Sequence, residues 1–140
     1  MTIKTMNDSN PQSSNSRNTS VTTVAALIEA YAKGERDFST ISLIAADLNG
    51  VDLKGADLSY ADLSDANLRK TNLRGADLSY ARLCNAQLSE ADLRGAMIIG
   101  TDLREAQLTS TLLQEADYDP KDTHFPTGFE IASAGMRADR

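Results

Sequence analysis

GADLSYADLSDANL, residues 55–68, sets Leu58, Leu63 and Leu68 five residues apart, with Ala56, Ala61 and Ala66 two places before them. Neither common backbone period divides five. In a helix turning about 100° per residue, successive leucines would sit roughly 140° apart and smear around the cylinder. In a straight strand an odd spacing alternates faces and exposes every second leucine. A third arrangement keeps them all inside. Three extended residues turn the alanine and the leucine to one side and the residue between them outward, and the chain then bends through about 90° before the next five begin. Four bends close a square coil of twenty residues, and the next coil stacks on it at about 4.8 Å.

This geometry predicts a second, longer period, and the sequence carries it. LKGADLSYADL from Leu53 recurs as LRGADLSYARL from Leu73, followed by LRGAMIIGTDL from Leu93. The five-residue register runs without a slip from Phe38 through Leu78 to Tyr118. A small or β-branched residue stands two places before the apolar one throughout, Arg36 being the sole departure.

The run 36–120 resembles the pentapeptide-repeat family, whose consensus is A(D/N)LXX: ADLSY (56–60 and 76–80), ANLRK (66–70) and ADLRG (91–95) match it directly. The resemblance implies an all-β solenoid, specifically a right-handed quadrilateral β-helix. The square coil follows from the period, and the hand comes from the resemblance alone. The flanks, LIEAYAKGERDF (27–38) and the segment holding Tyr118, Thr123, His124, Phe125, Pro126, Gly128 and Phe129, resemble those of cyanobacterial members.

Four segments are expected. Residues 1–19, rich in Ser, Asn and Thr, have little to bury and are read as disordered. Residues 20–35 form a short capping helix, with Val24, Leu27, Ile28 and Tyr31 at helical spacing and Gly34 as its stop. Residues 36–120 make just over four coils, a column roughly 20 Å long, and residues 121–140 form a C-terminal capping tail. A coil stack exposes apolar cross-sections and unpaired backbone at its ends, so both need covers. Past Ala134 the chain is expected to fray.

Composition narrows function. The net charge of −6 over 140 residues argues against affinity for nucleic acid or anionic membranes. No stretch is apolar for long enough to span a bilayer, and the start, MTIKTMNDSN, lacks a secretory pattern, so a cytoplasmic protein is expected. Cys84 is the single cysteine and His124 the single histidine, so neither a disulfide framework, a Cys/His metal set nor a Ser–His–Asp set on the column can be assembled. There is no phosphate-binding loop motif. Neighbouring carboxylates such as Asp57 and Asp77 lie on an outer face with no cleft for acid–base work. The chain reads as a non-enzyme without cofactor or metal.

What remains is surface. Residues twenty apart share a face, so Tyr60 and Tyr80 should stack, with Met97 and Ile99 as an outward apolar strip one coil on. Either the tail, through Phe125 and Phe129, folds over this strip, or a partner protein does. A second face holds Asp62, Arg82 and Asp102 in an alternating charge ladder, with Cys84 beside it. A third holds Asp47, Asn67, Gln87 and Gln107, the short polar side chains serving to bond turn amides, with Lys70 below Glu90. A fourth stacks Lys54, Arg74 and Arg94 as a basic column. Candidate partner-binding residues are thus Tyr60, Tyr80, Met97, Ile99, Lys54, Arg74 and Arg94. The leading function is a scaffold or interaction module presenting flat faces to an unidentified protein partner, as a monomer or weak dimer.

The resemblance adds two alternatives. One is a DNA-mimicking inhibitor or protector of DNA gyrase. The segment 36–120 carries 14 Asp/Glu against 8 Lys/Arg, or −6, the right sign for a mimic. The other is a regulatory partner in cyanobacterial differentiation or photosynthesis.

Overall fold

The computed structural model describes residues 21–139; the reading of 1–19 as disordered lies outside them. The chain opens with helix α1, Val24–Ala32. Thr23 caps it, its side chain accepting a hydrogen bond from the Ala26 N–H at 3.1 Å, and the helix stops where Gly34 takes φ of 101°. Leu27 is fully buried, whereas Ile28 stays on the surface. Tyr31 ties the helix to the first coil, donating its O–H to the Lys54 carbonyl at 2.7 Å, and the Arg36 guanidinium lies 3.6 Å from the Tyr31 ring centre.

From Asp37 onward the chain is a solenoid. From Asp37 to Met97 every fifth residue forms a parallel bridge with the residue twenty further on, giving four columns. The first runs Asp37, Asp57, Asp77, Met97, Asp117; the second Ser42, Asp62, Arg82, Asp102, His124. The third runs Asp47, Asn67, Gln87, Gln107; the fourth Asp52, Asn72, Asp92, Leu112. Between coils the leucine amide donates upward, as Leu58 N–H does to Asp77 C=O at 2.7 Å, and the outward residue donates downward, as Asp77 N–H does to Ala56 C=O at 2.9 Å. Inside each side the chain turns tightly: Ala61 N–H donates to Leu58 C=O at 3.1 Å, with Tyr60 at φ of 62°. A bond from i+3 to i with positive φ at i+2 alone is the type II turn.

Three devices hold this geometry. The leucines from Leu48 to Leu93 are 0–1% exposed, each contributing about 1.5–3 kcal/mol by burial. The residue before the leucine caps its own turn: Asp57 Oδ1 accepts from the Ser59 N–H at 3.0 Å, Asn67 Oδ1 from Arg69 N–H at 3.2 Å, and Asp102 Oδ1 from Arg104 N–H at 3.1 Å. Threonine at the alanine position brings a hydroxyl inside, and it is satisfied there. Thr71 donates to Leu48 C=O at 2.8 Å and Thr101 to Leu78 C=O at 2.7 Å.

The tail departs from expectation. Instead of ceasing near Tyr118, the coil path continues after a two-residue slip: His124 bridges Asp102, and Leu103 N–H donates to His124 C=O at 2.7 Å. Thr123 therefore takes an alanine position, its hydroxyl donating to Ile98 C=O at 2.8 Å, and Phe125 takes a leucine position. Beyond a 3-10 turn at Ile131–Ser133, strand β2 (Arg137–Ala138) pairs in parallel with β1 (Asp117–Tyr118). Fraying past Ala134 is thus contradicted. Arg137 N–H donates to Ala116 C=O at 2.8 Å, and its guanidinium grips Asp117 at 2.9 Å and Glu115 at 3.4 Å.

Candidate functional site

The first face carries the candidate apolar strip. Tyr60 and Tyr80, one coil apart at the same left-handed turn position, stack with ring centres 5.3 Å apart and planes within 14°. This is the stacking the twenty-residue register calls for. Met97 bridges Asp77 and Asp117 in the next coil, and the Ile99 carbonyl accepts from Tyr80 N–H at 2.8 Å, so all four residues occupy three successive coils of one face. Tyr60 is 62% exposed, Tyr80 45% and Met97 42%; Ile99 is half-buried.

The tail does not cover this strip. Phe125 stacks on Phe129 at 5.2 Å and meets Tyr118 edge-on at 5.7 Å, and both phenylalanines pack against the core. The reason is register: a residue in a leucine position points to the axis, so Phe125 packs toward the core instead of reaching the column's side.

Two residues of this face were not singled out from sequence. Gly100 follows Tyr60 and Tyr80 in their column, and a Cβ there would overlap the Tyr80 ring. The interruption of the tyrosine column was the visible signal. Ser79 differs from its equivalent one coil below: Ser59 Oγ donates to Asp57 Oδ1 at 2.7 Å, whereas Ser79 Oγ is buried with no partner among the described residues.

Lys54, Arg74 and Arg94 do form a column, Gly55 N–H donating to Arg74 C=O at 2.9 Å and Gly75 N–H to Arg94 C=O at 3.0 Å. Its third cation is occupied. Arg94 forks onto Asp92, Nε to Oδ1 at 2.9 Å and Nη2 to Oδ2 at 2.7 Å, and this fork holds the Asp92 carboxyl below its usual value. Lys54 and Arg74 form no ion pair with the described residues.

The second-face ladder has the expected order but not the expected pairing. No ion pair joins Arg82 to Asp62 or Asp102 among the described residues. Asp62 Oδ1 takes the Ser64 N–H at 3.1 Å and hydroxyl at 2.7 Å, and Arg104 forks onto Asp102 at 2.9 and 2.6 Å. Turn capping, which costs no reach, takes the carboxylates first. Cys84 sits half-buried here; burial, with help from the neighbouring Asp102, pushes its thiol above the ordinary value, opposite to what a reactive thiolate needs. On the third face Lys70 reaches Glu90 at 4.0 Å, both exposed. Among the described residues no group of three His, Cys, Asp or Glu is placed to hold a metal, and no helix is long and apolar enough to cross a membrane.

Comparison with known proteins fits this geometry. The family model for pentapeptide repeats matches residues 37–75 and 76–114. The crystal structure of alr5209, a pentapeptide repeat protein from Nostoc Pcc 7120, aligns with TM-score 0.82 at 52% identity, over 84% of this chain and 97% of that one. A pentapeptide repeat protein (Rfr23) from the cyanobacterium Cyanothece 51142 is 34% identical over 64% of this chain and 63% of its own, with TM-score 0.38. QnrB1, a plasmid-mediated fluoroquinolone resistance protein, shares the fold at 19% identity and TM-score 0.52, over 74% of this chain and 58% of that one. No curated protein matches the sequence. The register, the turns and the matched residues together make this chain a member of the pentapeptide-repeat family, a non-enzymatic repeat module with cyanobacterial relatives.

Proposed function

We propose that the chain is a protein-docking scaffold whose first face, Tyr60, Tyr80, Met97 and Ile99, meets a protein partner. The carrying observation is the stacked tyrosine pair running into Met97, which gathers on one face three of the six exposed large apolar side chains among the described residues. Tyrosines stacked on a rigid ladder bring large contact area with little ordering cost on binding. In this reading the column is the right-handed quadrilateral β-helix of its family, with four bridged sides per twenty residues and the hand supplied by the family. Helix α1 serves as its N-terminal cap and the tail after Pro120 as its C-terminal one. The basic column of Lys54, Arg74 and Arg94 is a secondary surface, weakened by the Arg94–Asp92 fork. The protein acts in the cytoplasm as a monomer or weak dimer, without binding nucleic acid directly.

The test is capture from native lysate by the parent and by Tyr60→Ser/Tyr80→Ser/Met97→Ser. A protein retained by the parent and lost by a variant that melts like it supports the face; identical retention removes it. The gyrase reading rests on the −6 charge of residues 36–120, and four coils span barely six base pairs at about 3.4 Å each. A supercoiling assay decides it: absence of any effect at micromolar protein excludes gyrase. A regulatory role in cyanobacterial differentiation or photosynthesis is the same docking reading with its partner named, and the captured protein tests it.

A further inference from the structure

The C-terminal end leaves part of its rim unpaired. In the inner coils one side forms three backbone bonds to the next. Leu88 N–H donates to Gln107 C=O at 2.9 Å, Glu90 N–H to Thr109 C=O at 3.1 Å, and Gln107 N–H to Ala86 C=O at 2.9 Å. One coil later these bonds stop. The amides of Leu108, Ser110 and Leu113 and the carbonyls of Ala106 and Thr111 bond nothing among the described residues. The cause is the path of the tail. At Pro126 it leaves the rim, Phe129 N–H donating to Pro126 C=O at 3.2 Å, and it returns only at Gly135, whose carbonyl accepts from Glu115 N–H at 2.9 Å. Beside the bare side lies a cleft of about 290 Å³ lined by Ala106, Leu108, Thr109, Pro126, Gly128 and Phe129.

We propose that the rim from Ala106 to Ser110 is a docking edge for an extended, basic segment of a partner protein, which adds as the next parallel strand. The site is separate from the tyrosine face. Two amides and one carbonyl, spaced as in a β-ladder, select an extended backbone. Ser110, at φ of 61°, bends the edge, so a straight segment follows one side only, and the side with the cleft also takes an apolar side chain in register with Leu108. Charge selects a basic guest. No lysine or arginine lies between Glu105 and Glu115, Glu90 stands one coil below, and Glu130 follows Phe129 in the tail. Two of these carboxylates have cations near them, Lys70 at 4.0 Å from Glu90 and Arg137 at 3.4 Å from Glu115; Glu105 and Glu130 form no ion pair among the described residues.

The test uses the full chain, isotopically labelled for amide NMR, and the peptide acetyl-Lys-Val-Lys-Leu-Lys-amide. In the free protein the Leu108 and Ser110 amides should exchange freely. The basic peptide should shift both resonances and slow both exchanges, and acetyl-Glu-Val-Glu-Leu-Glu-amide should do neither. Glu105→Gln with Glu130→Gln, two exposed changes that leave the fold intact, should weaken binding of the basic peptide about fivefold or more. Slow exchange in the free chain at every dilution would mean that the chain closes its own edge. Slowing that depends on protein concentration would make a second copy the occupant. An equal response to both peptides, or none at millimolar peptide, also overturns the proposal.

Discussion

Replacing Ala45 with glycine should stabilise this protein, the reverse of the same change in a helix interior. Every fifth residue from Thr40 to Glu115 has positive φ, and among them only Gly50, Gly55, Gly75, Gly95 and Gly100 are glycines. Ala45 isolates the backbone term. Its φ is 61°, its side chain is an exposed methyl, and its N–H bond to Ser64 C=O at 2.8 Å survives the substitution. A left-handed non-glycine residue is strained by about 1–2 kcal/mol. Glycine gives back about 0.5–1 kcal/mol through its greater freedom in the unfolded chain. The net gain is about 0.5–1 kcal/mol, or a rise in melting temperature of roughly 2–6 °C. Gly55→Ala is the mirror experiment. Its φ is 72° and a Cβ there meets nothing within 4 Å, so the change is backbone strain offset only by the lower entropy of the unfolded chain, with no steric clash. Urea titration followed by circular dichroism measures both. A destabilised Ala45→Gly together with a neutral Gly55→Ala would refute the turn geometry.

Leu78, fully buried at mid-column, should cost about 2–5 kcal/mol as Leu78→Ala, and Leu78→Lys, which buries an unpaired charge, should abolish folding. A soluble Leu78→Lys protein that melts like the parent would contradict the inward assignment. Thr101→Val removes the 2.7 Å bond to Leu78 C=O while that carbonyl keeps Ala81 N–H at 3.0 Å. The expected loss is about 1 kcal/mol in urea, and an unchanged midpoint would deny the bond any weight. The Arg104 fork holds the Asp102 carboxyl well below its ordinary value of 3.8. A depressed folded value means stabilisation that is full above the unfolded value and lost as pH falls below about 4. Arg104→Gln should therefore raise the Asp102 titration midpoint, read by carboxyl NMR, and flatten the acid limb of stability; an unmoved midpoint would show that the fork does not govern this carboxylate.

The column was legible because its period is a property of sequence alone: five residues per side and twenty per coil place Leu58, Leu78 and Ile98 in one stack. Side-chain competition was not legible in the same way. Asp62 and Asp102 were in register with Arg82, yet each carboxylate is engaged by the residue two places on in its own turn, Asp62 by the amide and hydroxyl of Ser64 and Asp102 by the amide and guanidinium of Arg104. The left-handed residues were hidden for a related reason. Glycine marks such positions only where selection has relieved the strain, and here Tyr60, Lys70 and Glu90 occupy the position because interlocked coils over-determine the turn. The continuation of the coil path into the tail was hidden by arithmetic: two extra residues before Thr123 break a strict count of five, although Thr123-His124-Phe125 repeats the small, outward, apolar order one coil above Thr101-Asp102-Leu103. The same slip links fold to binding. It lets the tail cut across the end to pack Phe125 and Phe129 on the core, and a chain that crosses the end cannot also pair along the rim. Packing Phe125 and Phe129 on the core and leaving the Leu108 and Ser110 amides without a partner among the described residues are therefore consequences of one choice of path.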